Sequence, residues 1–282
     1  MGIYDRSIAN WPVPVDEVRV ATALGETFVL AFGDSSRPPL VLLHGSAANS
    51  STWGGEAAAY AREFRVYAID LPGETGKSTP IRPPYAGTAY ADWLGEVLDG
   101  LRLDRVHIAG LSLGGWAAMR FAASSPRRVK RVALIAPGGL APAKKGFVLK
   151  ALLYRPFGTW GVRRITNVVF SPDTPPPGAA EAFAFGLRNY NARRDNLPLV
   201  TDDELKSLTM PVFFVGGDQD ALLDTNAGAE RLRLLVPHSE TTVLERRGHA
   251  LLGAAAEVLT FLTSAPYCEP VGSREPVSRV RR

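Results

Sequence analysis

Short apolar runs, each bounded by turn residues, recur along the chain and predict a series of β-strands. From residue 40 onward the runs are nearly continuous rather than alternating, which is typical of parallel strands covered on both faces. Longer stretches with helical spacing lie between them, such as residues 89–101 and 114–126. Two antiparallel strands followed by alternating strands and helices indicate an α/β protein with an open, mostly parallel sheet. The predicted strands are residues 18–22, 27–33, 40–45, 64–73, 106–110, 132–137, 212–217 and 241–245.

One interval, residues 138–210, interrupts this alternation. It contains amphipathic pieces and seven prolines but no convincing strand, and it is too long for a single crossover connection. We interpret it as a helical cap inserted over the sheet. The core then comprises residues 1–137 and 211–264, and the aperiodic tail at 265–282 is expected to be disordered.

The composition is that of an ordinary globular protein, with 46% hydrophobic and 21% charged residues in a chain of 282. Disorder of most of the chain is excluded, and no apolar run approaches the ~20 residues that a membrane span needs. No basic-then-apolar signal region opens the sequence. The single cysteine, Cys268, cannot form an internal disulfide or a cysteine metal cluster, so we expect a cytoplasmic protein.

The net charge of +4 does not indicate nucleic-acid binding. Residues 138–210 carry ten Lys and Arg against six Asp and Glu, and the tail carries four Arg against two Glu. No stripe of interleaved basic and aromatic side chains appears, although nucleic-acid-binding surfaces usually have one. We therefore expect no nucleic-acid partner.

The strongest candidate for chemistry is a serine between two glycines. Ser112 stands between Gly110 and Gly114, after a predicted strand and at the start of a predicted helix. The glycines allow a sharp turn, since flanking side chains would collide there. Such a turn exposes the serine hydroxyl near the helix N-terminus, where the dipole favours negative charge. This context predicts that Ser112 is a nucleophile.

Elimination among the four histidines selects a general base. His107 lies within the strand that leads to the serine, and His238 precedes a strand, so both are expected away from the edge at which open α/β sheets bind ligands. His44 ends a strand at the correct edge, but we expect it to make structural hydrogen bonds. His249 follows the last predicted strand and precedes a helix. It is therefore the predicted base.

Three aspartates follow the strand at 212–217 and compete as the acid that orients His249. Asp224 precedes a helix and is a candidate helix cap. Asp218 lies closest to the strand and could accept hydrogen bonds from local amides. We choose Asp220. The resulting chain order of serine, aspartate and histidine is that of one triad-bearing fold among several that share this chemistry.

The loop after the third strand supplies donors for a developing oxyanion. In His44-Gly45-Ser46, a glycine directly after a core strand lets the next backbone amide point into the cleft. The amides of Ser46 and Leu113 are therefore the predicted oxyanion-hole donors. Such donors contribute roughly 3–4 kcal/mol each to transition-state stabilisation.

A second glycine-rich segment, Gly73-Glu-Thr-Gly76-Lys-Ser78, looks like a phosphate-binding loop. That motif requires four residues between its glycines, so position 71 should be glycine, and it is leucine. We interpret the segment as an ordinary loop after the fourth strand, without a role in nucleotide binding.

Over about residues 15–264 the chain resembles proteins of the α/β-hydrolase fold. The matching motifs are His44-Gly45, Asp70-x-x-Gly73, the turn from Gly110 to Gly114, Gly217-x-x-Asp220 and Gly248-His249. The N-terminal YDRSIANWPVP and the turn GLSLGG are similar to a group of bacterial carboxylesterases that includes enzymes cleaving aryl-propionate esters. The resemblance implies a Ser-His-Asp triad, a mobile helical cap and no cofactor. One departure is that the usual G-x-G-x-S after the fourth strand is replaced by G-E-T-G-K-S.

Our leading hypothesis is a serine hydrolase that cleaves a hydrophobic carboxylic ester through an acyl-enzyme. Ser112 argues against the epoxide hydrolases and haloalkane dehalogenases of this fold, which use an aspartate nucleophile. A carbon–carbon bond hydrolase or thioesterase remains open, as does a small-molecule receptor that keeps the triad but turns over slowly. An apolar pocket is favoured by eight aromatic residues in the insertion: Phe147, Tyr154, Phe157, Trp160, Phe170, Phe183, Phe185 and Tyr190.

Overall fold

An eight-stranded sheet forms the centre of the computed structural model, in the order β1-β2-β4-β3-β5-β6-β7-β8. The first two strands pair antiparallel, as do β2 and β4, and all other neighbours are parallel. The predicted α/β fold with a mostly parallel sheet is confirmed. The strands are β1 (Val15–Thr22), β2 (Gly25–Phe32), β3 (Pro39–Leu43), β4 (Arg65–Ile69), β5 (Val106–Leu111), β6 (Val129–Ile135), β7 (Val212–Gly217) and β8 (Glu240–Leu244). The structure describes residues 2–146, 153–175, 178–190, 193, 195–251 and 253–265.

The helices of the described residues include one that the apolar pattern does not predict, α1 at the N-terminus. No helix in this part of the chain is long and apolar enough to cross a membrane. The helices are α1 (Ile3–Ala9), α2 (Ala57–Glu63), α3 (Ala89–Gly100), α4 (Leu113–Ser124), α5 (Gly158–Phe170), α6 (Ala179–Asn189), α7 (Asp202–Lys206), α8 (Thr225–Leu235) and α9 (Ala255–Thr263).

Alternate residues of the central strands pack into two hydrophobic clusters, one on each face of the sheet. In β3, Val41 and Leu43 belong to the cluster that contains Trp116 of α4, whereas Leu40 and Leu42 belong to the cluster that contains residues of α2 and α9. All four β3 side chains are fully buried. Burial on both faces explains why these strands appear in the sequence as continuous apolar runs.

The fourth strand is shorter than predicted, because the chain turns at Asp70. The Asp70 carboxylate is fully buried, and it accepts hydrogen bonds from the backbone amides of Ser50 and Lys77 at 2.8 and 2.7 Å. The hydroxyl of Tyr4 on α1 donates to the same carboxylate at 2.9 Å. Asp70 therefore fixes the loop that follows β4 and ties the N-terminal helix to it.

Between β6 and β7, the described residues contain α5, α6 and α7 and no strand, apart from an isolated bridge that pairs Ala143 with Leu223. The two ends of this interval meet, since the Val200 amide donates to the Gly139 carbonyl at 2.9 Å. Arg231 of α8 donates to the Val200 carbonyl at 2.7 Å. The proposed boundaries of a separate cap stay a prediction, and Phe147 and residues 266–282 lie outside the described residues.

Candidate active site

Ser112 occupies the junction between β5 and α4 in a strained backbone conformation, with φ 51° and ψ −108°. A non-glycine residue in this region costs on the order of 1–3 kcal/mol unless the surroundings hold it. Here the Ser112 amide donates to the Ile135 carbonyl at 2.9 Å. The Ser112 carbonyl accepts from the amides of Trp116 and Gly138, each at 3.1 Å. The turn is thus held by β6 and by the chain that follows it.

The two glycines that flank Ser112 are required by close packing. A Cβ at Gly110 would overlap the carbonyl oxygen of Gly114, and a Cβ at Gly114 would overlap that of Leu43 on β3. These obstacles are backbone atoms, which cannot move aside as the end of a flexible side chain does. The turn is therefore open only to glycine at both positions.

The side chains of Ser112, His249 and Asp220 lie together at the carboxyl edge of the sheet. His249 Nε2 is 3.1 Å from Ser112 Oγ, and His249 Nδ1 is 2.7 Å from Asp220 Oδ2. His249 is 6% exposed and Asp220 is 2% exposed, so the hydrogen bond between them is shielded from water, whereas Ser112 is half-buried. The three residues selected from the sequence thus form one continuous chain of hydrogen bonds.

Asp220 is held by more than the histidine. Its Oδ1 accepts hydrogen bonds from the backbone amides of Leu222 and Leu223 at 2.7 and 2.9 Å. Burial raises the pKa of Asp220, but the hydrogen bond and charge of His249 and the two amides outweigh burial, so the pKa lies below its ordinary value. The carboxylate is therefore ionised and fixed in orientation at neutral pH.

The two competing aspartates serve the local backbone. Asp218 is exposed and accepts from the Arg247 amide at 3.2 Å. Asp224 caps α8 by accepting from the Ala227 amide at 3.1 Å. Neither contact involves His249.

The other histidines make different contacts. His44 is fully buried, its Nε2 accepts from the Leu71 amide at 2.9 Å, and its Nδ1 lies 2.8 Å from the Gly45 carbonyl. His107 packs on the ring of Phe64, and burial together with nearby cationic side chains lowers its pKa to about 4. His238 Nε2 lies 3.0 Å from the Met210 carbonyl.

The loop after β3 runs directly beside Ser112. A Cβ at Gly45 would lie 3.5 Å from the Cβ of Ser112, and the next residue, Ser46, is exposed. Leu113 is the first residue of α4, so its amide has no acceptor within the helix. Both predicted donors therefore belong to segments that adjoin the serine.

Sequence reasoning missed one residue at this site, Glu74, which lies in the segment set aside as an ordinary loop. Its carboxylate accepts from the Ala47 amide at 2.7 Å and from the Tyr190 hydroxyl at 2.8 Å. The Ser46 hydroxyl lies 3.4 Å from the same carboxylate. Burial raises the pKa of Glu74, and the hydrogen bonds from Ala47 and Tyr190 lower it by less, so the pKa lies above its ordinary value. The only signal in the sequence was an acidic residue next to a loop glycine.

Segments from the interval between β6 and β7 contact the loops on both sides of the serine. A Cβ at Gly186 of α6 would lie 2.8 Å from the Ala47 carbonyl, and one at Gly248 would overlap the Ser171 carbonyl that follows α5. Asp173 pairs with Arg247 at 2.9 Å. These two segments thus meet the histidine loop and the loop after β3 beside Ser112, and we call the place where they meet the cleft.

Comparisons with known proteins identify the family of the chain. The sequence model of the alpha/beta hydrolase family matches residues 40–260. The carboxylesterase nap of Bacillus subtilis is 33% identical over 256 residues, covering 88% of this chain and 85% of that protein. The crystal structure of naproxen esterase (carboxylesterase NP) from Bacillus subtilis superposes with a TM-score of 0.81 at 31% identity, covering 92% of this chain and 95% of that one. A more distant relative, the 2-hydroxy-6-oxononadienedioate/2-hydroxy-6-oxononatrienedioate hydrolase of Cupriavidus pinatubonensis, is 30% identical over 241 residues, covering 74% of this chain and 80% of that protein.

The chain therefore belongs to the alpha/beta hydrolase family. Within that family it is a hydrolase similar to the bacterial carboxylesterases.

Substitution by alanine should change the free energy of unfolding in opposite directions at two helix glycines. Gly114→Ala should destabilise the protein by at least about 1–3 kcal/mol, because its Cβ meets backbone. Gly95→Ala in α3 should stabilise it by roughly 0.5–1 kcal/mol, since that Cβ would lie an ordinary 3.8 Å from Phe121. Urea unfolding of both variants measures the difference. A Gly114→Ala protein as stable as the wild type would contradict the account.

Proposed function

We propose that the protein hydrolyses carboxylic esters with Ser112 as the nucleophile, His249 as the general base and Asp220 as the residue that orients His249. The observation that carries the proposal is the hydrogen-bonded series from Ser112 Oγ through His249 to Asp220, at 3.1 and 2.7 Å. A serine hydroxyl is a weak nucleophile alone, and a base within hydrogen-bond reach is what activates it.

In the acylation step, Ser112 Oγ bonds to the ester carbonyl carbon while its proton passes to His249 Nε2. The same proton then goes to the alkoxide, which leaves as the alcohol when the tetrahedral intermediate collapses. Water then attacks the acyl carbon while His249 Nε2 takes its proton. The same proton goes to Ser112 Oγ as the acyl–oxygen bond breaks, and the carboxylic acid is released. No metal or redox partner is needed to balance either step.

Asp220 supports both steps through the imidazole. Its ionised carboxylate favours the tautomer with the proton on Nδ1, so that Nε2 is free to accept the serine proton. It also stabilises the imidazolium that forms. The amides of Leu222 and Leu223 keep the carboxylate aimed at the ring.

The oxyanion of each tetrahedral intermediate would lie between the backbone amides of Ser46 and Leu113. One amide starts a helix, whose dipole favours negative charge, and the other follows the glycine that adjoins Ser112. Donors of this kind contribute about 3–4 kcal/mol each, because they strengthen as charge develops on the oxygen.

We assign a hydrophobic ester as the substrate class. Phe170 and Phe183 form an edge-to-face pair with ring centroids 5.7 Å apart, and both are half-buried. Phe170 precedes Ser171, which contacts the histidine loop, and Phe183 lies one turn before Gly186, which contacts the loop after β3. The pair therefore belongs to the two segments that border the cleft. Resemblance to the naproxen esterase supports an aryl-propionate ester within this class.

A second candidate is cleavage of a carbon–carbon bond, which is favoured by the relative from Cupriavidus pinatubonensis. That chemistry shares an oxyanion and a serine-based site, so the triad geometry alone does not distinguish it from ester hydrolysis. We rank it second because identity with the carboxylesterase is higher and covers more of this chain. A cytoplasmic location stays a prediction from the sequence.

The roles of the aspartates are tested by a matched pair of substitutions. Asp220→Asn should lower kcat for a p-nitrophenyl ester by roughly 10⁴, because the wrong imidazole tautomer is favoured. Asp218→Asn, only two residues away, should change kcat less than about threefold, because the Asp218 carboxylate accepts a hydrogen bond from the Arg247 amide rather than from His249. Ser112→Ala is the reference for complete loss of the triad, and its kcat should be roughly 10⁶ below that of the wild type, as in a comparable triad. A larger kinetic defect in Asp218→Asn at unchanged thermal stability would reject the assignment.

The substrate class is tested with esters of rising acyl length. We expect kcat/KM to rise from acetate through butyrate and hexanoate until the pocket is full, by up to about fourfold per CH₂ from ~0.8 kcal/mol of transfer free energy. A phenylpropionate ester should be among the best substrates. A steady fall from acetate onward contradicts a hydrophobic pocket. Faster cleavage of a 2-hydroxy-6-oxo-dienedioate than of any ester favours the second candidate, and one burst without later turnover favours a receptor.

A further inference from the structure

The loop after β3 contains a strained residue whose backbone is held from outside the loop. Ala47 has a left-handed φ of 56° and is buried. An alanine adopts this conformation at a cost of on the order of 1 kcal/mol or more. Its amide donates to the Glu74 carboxylate at 2.7 Å, a length typical of a charge-assisted hydrogen bond. The peptide that joins Ser46 to Ala47 is therefore fixed by Glu74.

We propose that Glu74 is a positioning residue of the esterase site. It holds the Ser46–Ala47 peptide, which restricts the backbone of Ser46 and so orients the preceding peptide, whose Ser46 amide faces the substrate carbonyl, and it ties helix α6 to that loop through Tyr190. The inference rests on the proposed function. Glu74 touches neither the substrate nor Ser112 and acts only through its two partners.

The two carboxylate oxygens of Glu74 have different partners. Oε2 accepts from the Ala47 amide, and Oε1 accepts from the hydroxyl of Tyr190 at the end of α6. Gly186 on the same helix packs against the Ala47 carbonyl. Arg82 lies over the Tyr190 ring at 4.7 Å. A single carboxylate thus links an oxyanion-hole segment to a helix that borders the cleft.

The backbone around Glu74 is anchored without its side chain. The Thr75 hydroxyl donates to the Ala48 carbonyl at 2.8 Å, and the Asn49 side-chain amide donates to the Thr75 carbonyl at 3.3 Å. Asp70 holds both loops through the amides of Ser50 and Lys77. Substitution of Glu74 should therefore leave the two loops side by side and free the Ser46–Ala47 peptide and the Tyr190 hydroxyl.

The charges that face Glu74 come from several elements. Burial raises the pKa of Glu74, and His44 and Arg82 oppose the rise. Burial and the negative charge of Glu74 in turn raise the pKa of the Tyr85 and Tyr90 phenols, which are therefore neutral. Protonation of Glu74 at low pH would weaken the hydrogen bond from Ala47. Loss of activity on acidification should therefore include the protonation of Glu74.

The experiment compares Glu74→Ala and Glu74→Gln with Tyr190→Phe. The turnover rate is divided by the concentration of active sites, measured as the Ser112 that a fluorophosphonate labels. Unfolded protein is therefore left out of the comparison. Glu74→Ala should lower kcat at least about tenfold, less than the roughly 10²–10³ lost with an oxyanion donor. It should raise KM no more than Tyr190→Phe does, because both variants lose the link to α6. Glu74→Gln keeps an acceptor for Ala47, so its kcat at neutral pH should lie within about threefold of the wild type. Tyr190→Phe should raise KM and spare kcat.

The pH profile distinguishes positioning from a merely structural role. In Glu74→Gln the acid limb of kcat should be less steep than in the wild type, because one titrating group is removed. This measurement also decides the matter if Glu74→Ala fails to fold. An acid limb identical to that of the wild type overturns the inference.

Glu96→Ala is the matched control, because the Glu96 carboxylate also accepts a loop amide, that of Ala23, at 2.6 Å, but between β1 and β2. It should leave normalised kcat unchanged. Normalised kcat of Glu74→Ala equal to that of Glu96→Ala overturns the positioning role. Failure of the proposed function has a different signature: Ser112 is then not labelled, or Ser112→Ala still turns over esters.

Discussion

The tight turn at Ser112 is the constraint on which the rest of the site depends. Its left-handed backbone is tolerated because Gly110 and Gly114 let β5, α4 and β3 approach to backbone contact, and because hydrogen bonds from β6 hold the turn. The strain, on the order of 1–3 kcal/mol, is offset by the packed centre of the sheet around it. The position of the Ser112 hydroxyl is consequently fixed by the packed turn between β5 and α4.

The other residues of the site lie on loops at the carboxyl edge of the parallel strands. The loops that follow β3, β7 and β8 carry Ser46, Asp220 and His249, so residues far apart in the chain meet around one serine. The loops also brace one another: the Gln219 amide donates to the Arg247 carbonyl at 2.9 Å. Preorganisation of this kind is what makes hydrogen-bond donors effective in catalysis, because they do not have to reorient as charge develops.

Much of this could be predicted from the sequence, because the decisive signals are local. The continuous apolar runs reflect burial on both faces of the sheet, and glycine on both sides of Ser112 reflects a steric need of a few adjacent residues. The end of β4 was predicted too late, since the apolar run continues past Asp70, whose burial depends on Tyr4 and Ser50. Helix α1 was not predicted, because none of its residues is fully buried and its apolar pattern is weak.

Glu74 could not be found in this way. Its partners, Ala47 and Tyr190, lie far from it in the chain, and nothing in the segment around Glu74 encodes the left-handed backbone of Ala47. Contacts of this kind arise only once the loop after β3, the loop after β4 and helix α6 are assembled. The sequence likewise does not determine which of the three carboxylates contacts His249, that of Asp218, Asp220 or Asp224, because this depends on the folded loop.

The central claim is that Ser112 carries the acyl group, and mass spectrometry of the trapped enzyme tests it most directly. After reaction with a fluorophosphonate and digestion with trypsin, the cleavage sites at Arg105 and Arg120 release residues 106–120, in which Ser112 is the only hydroxyl-bearing side chain. The account predicts one phosphonyl group per chain, located on this peptide and absent from Ser112→Ala. Labelling of another peptide, or full ester turnover by protein in which this peptide stays unlabelled, would contradict it.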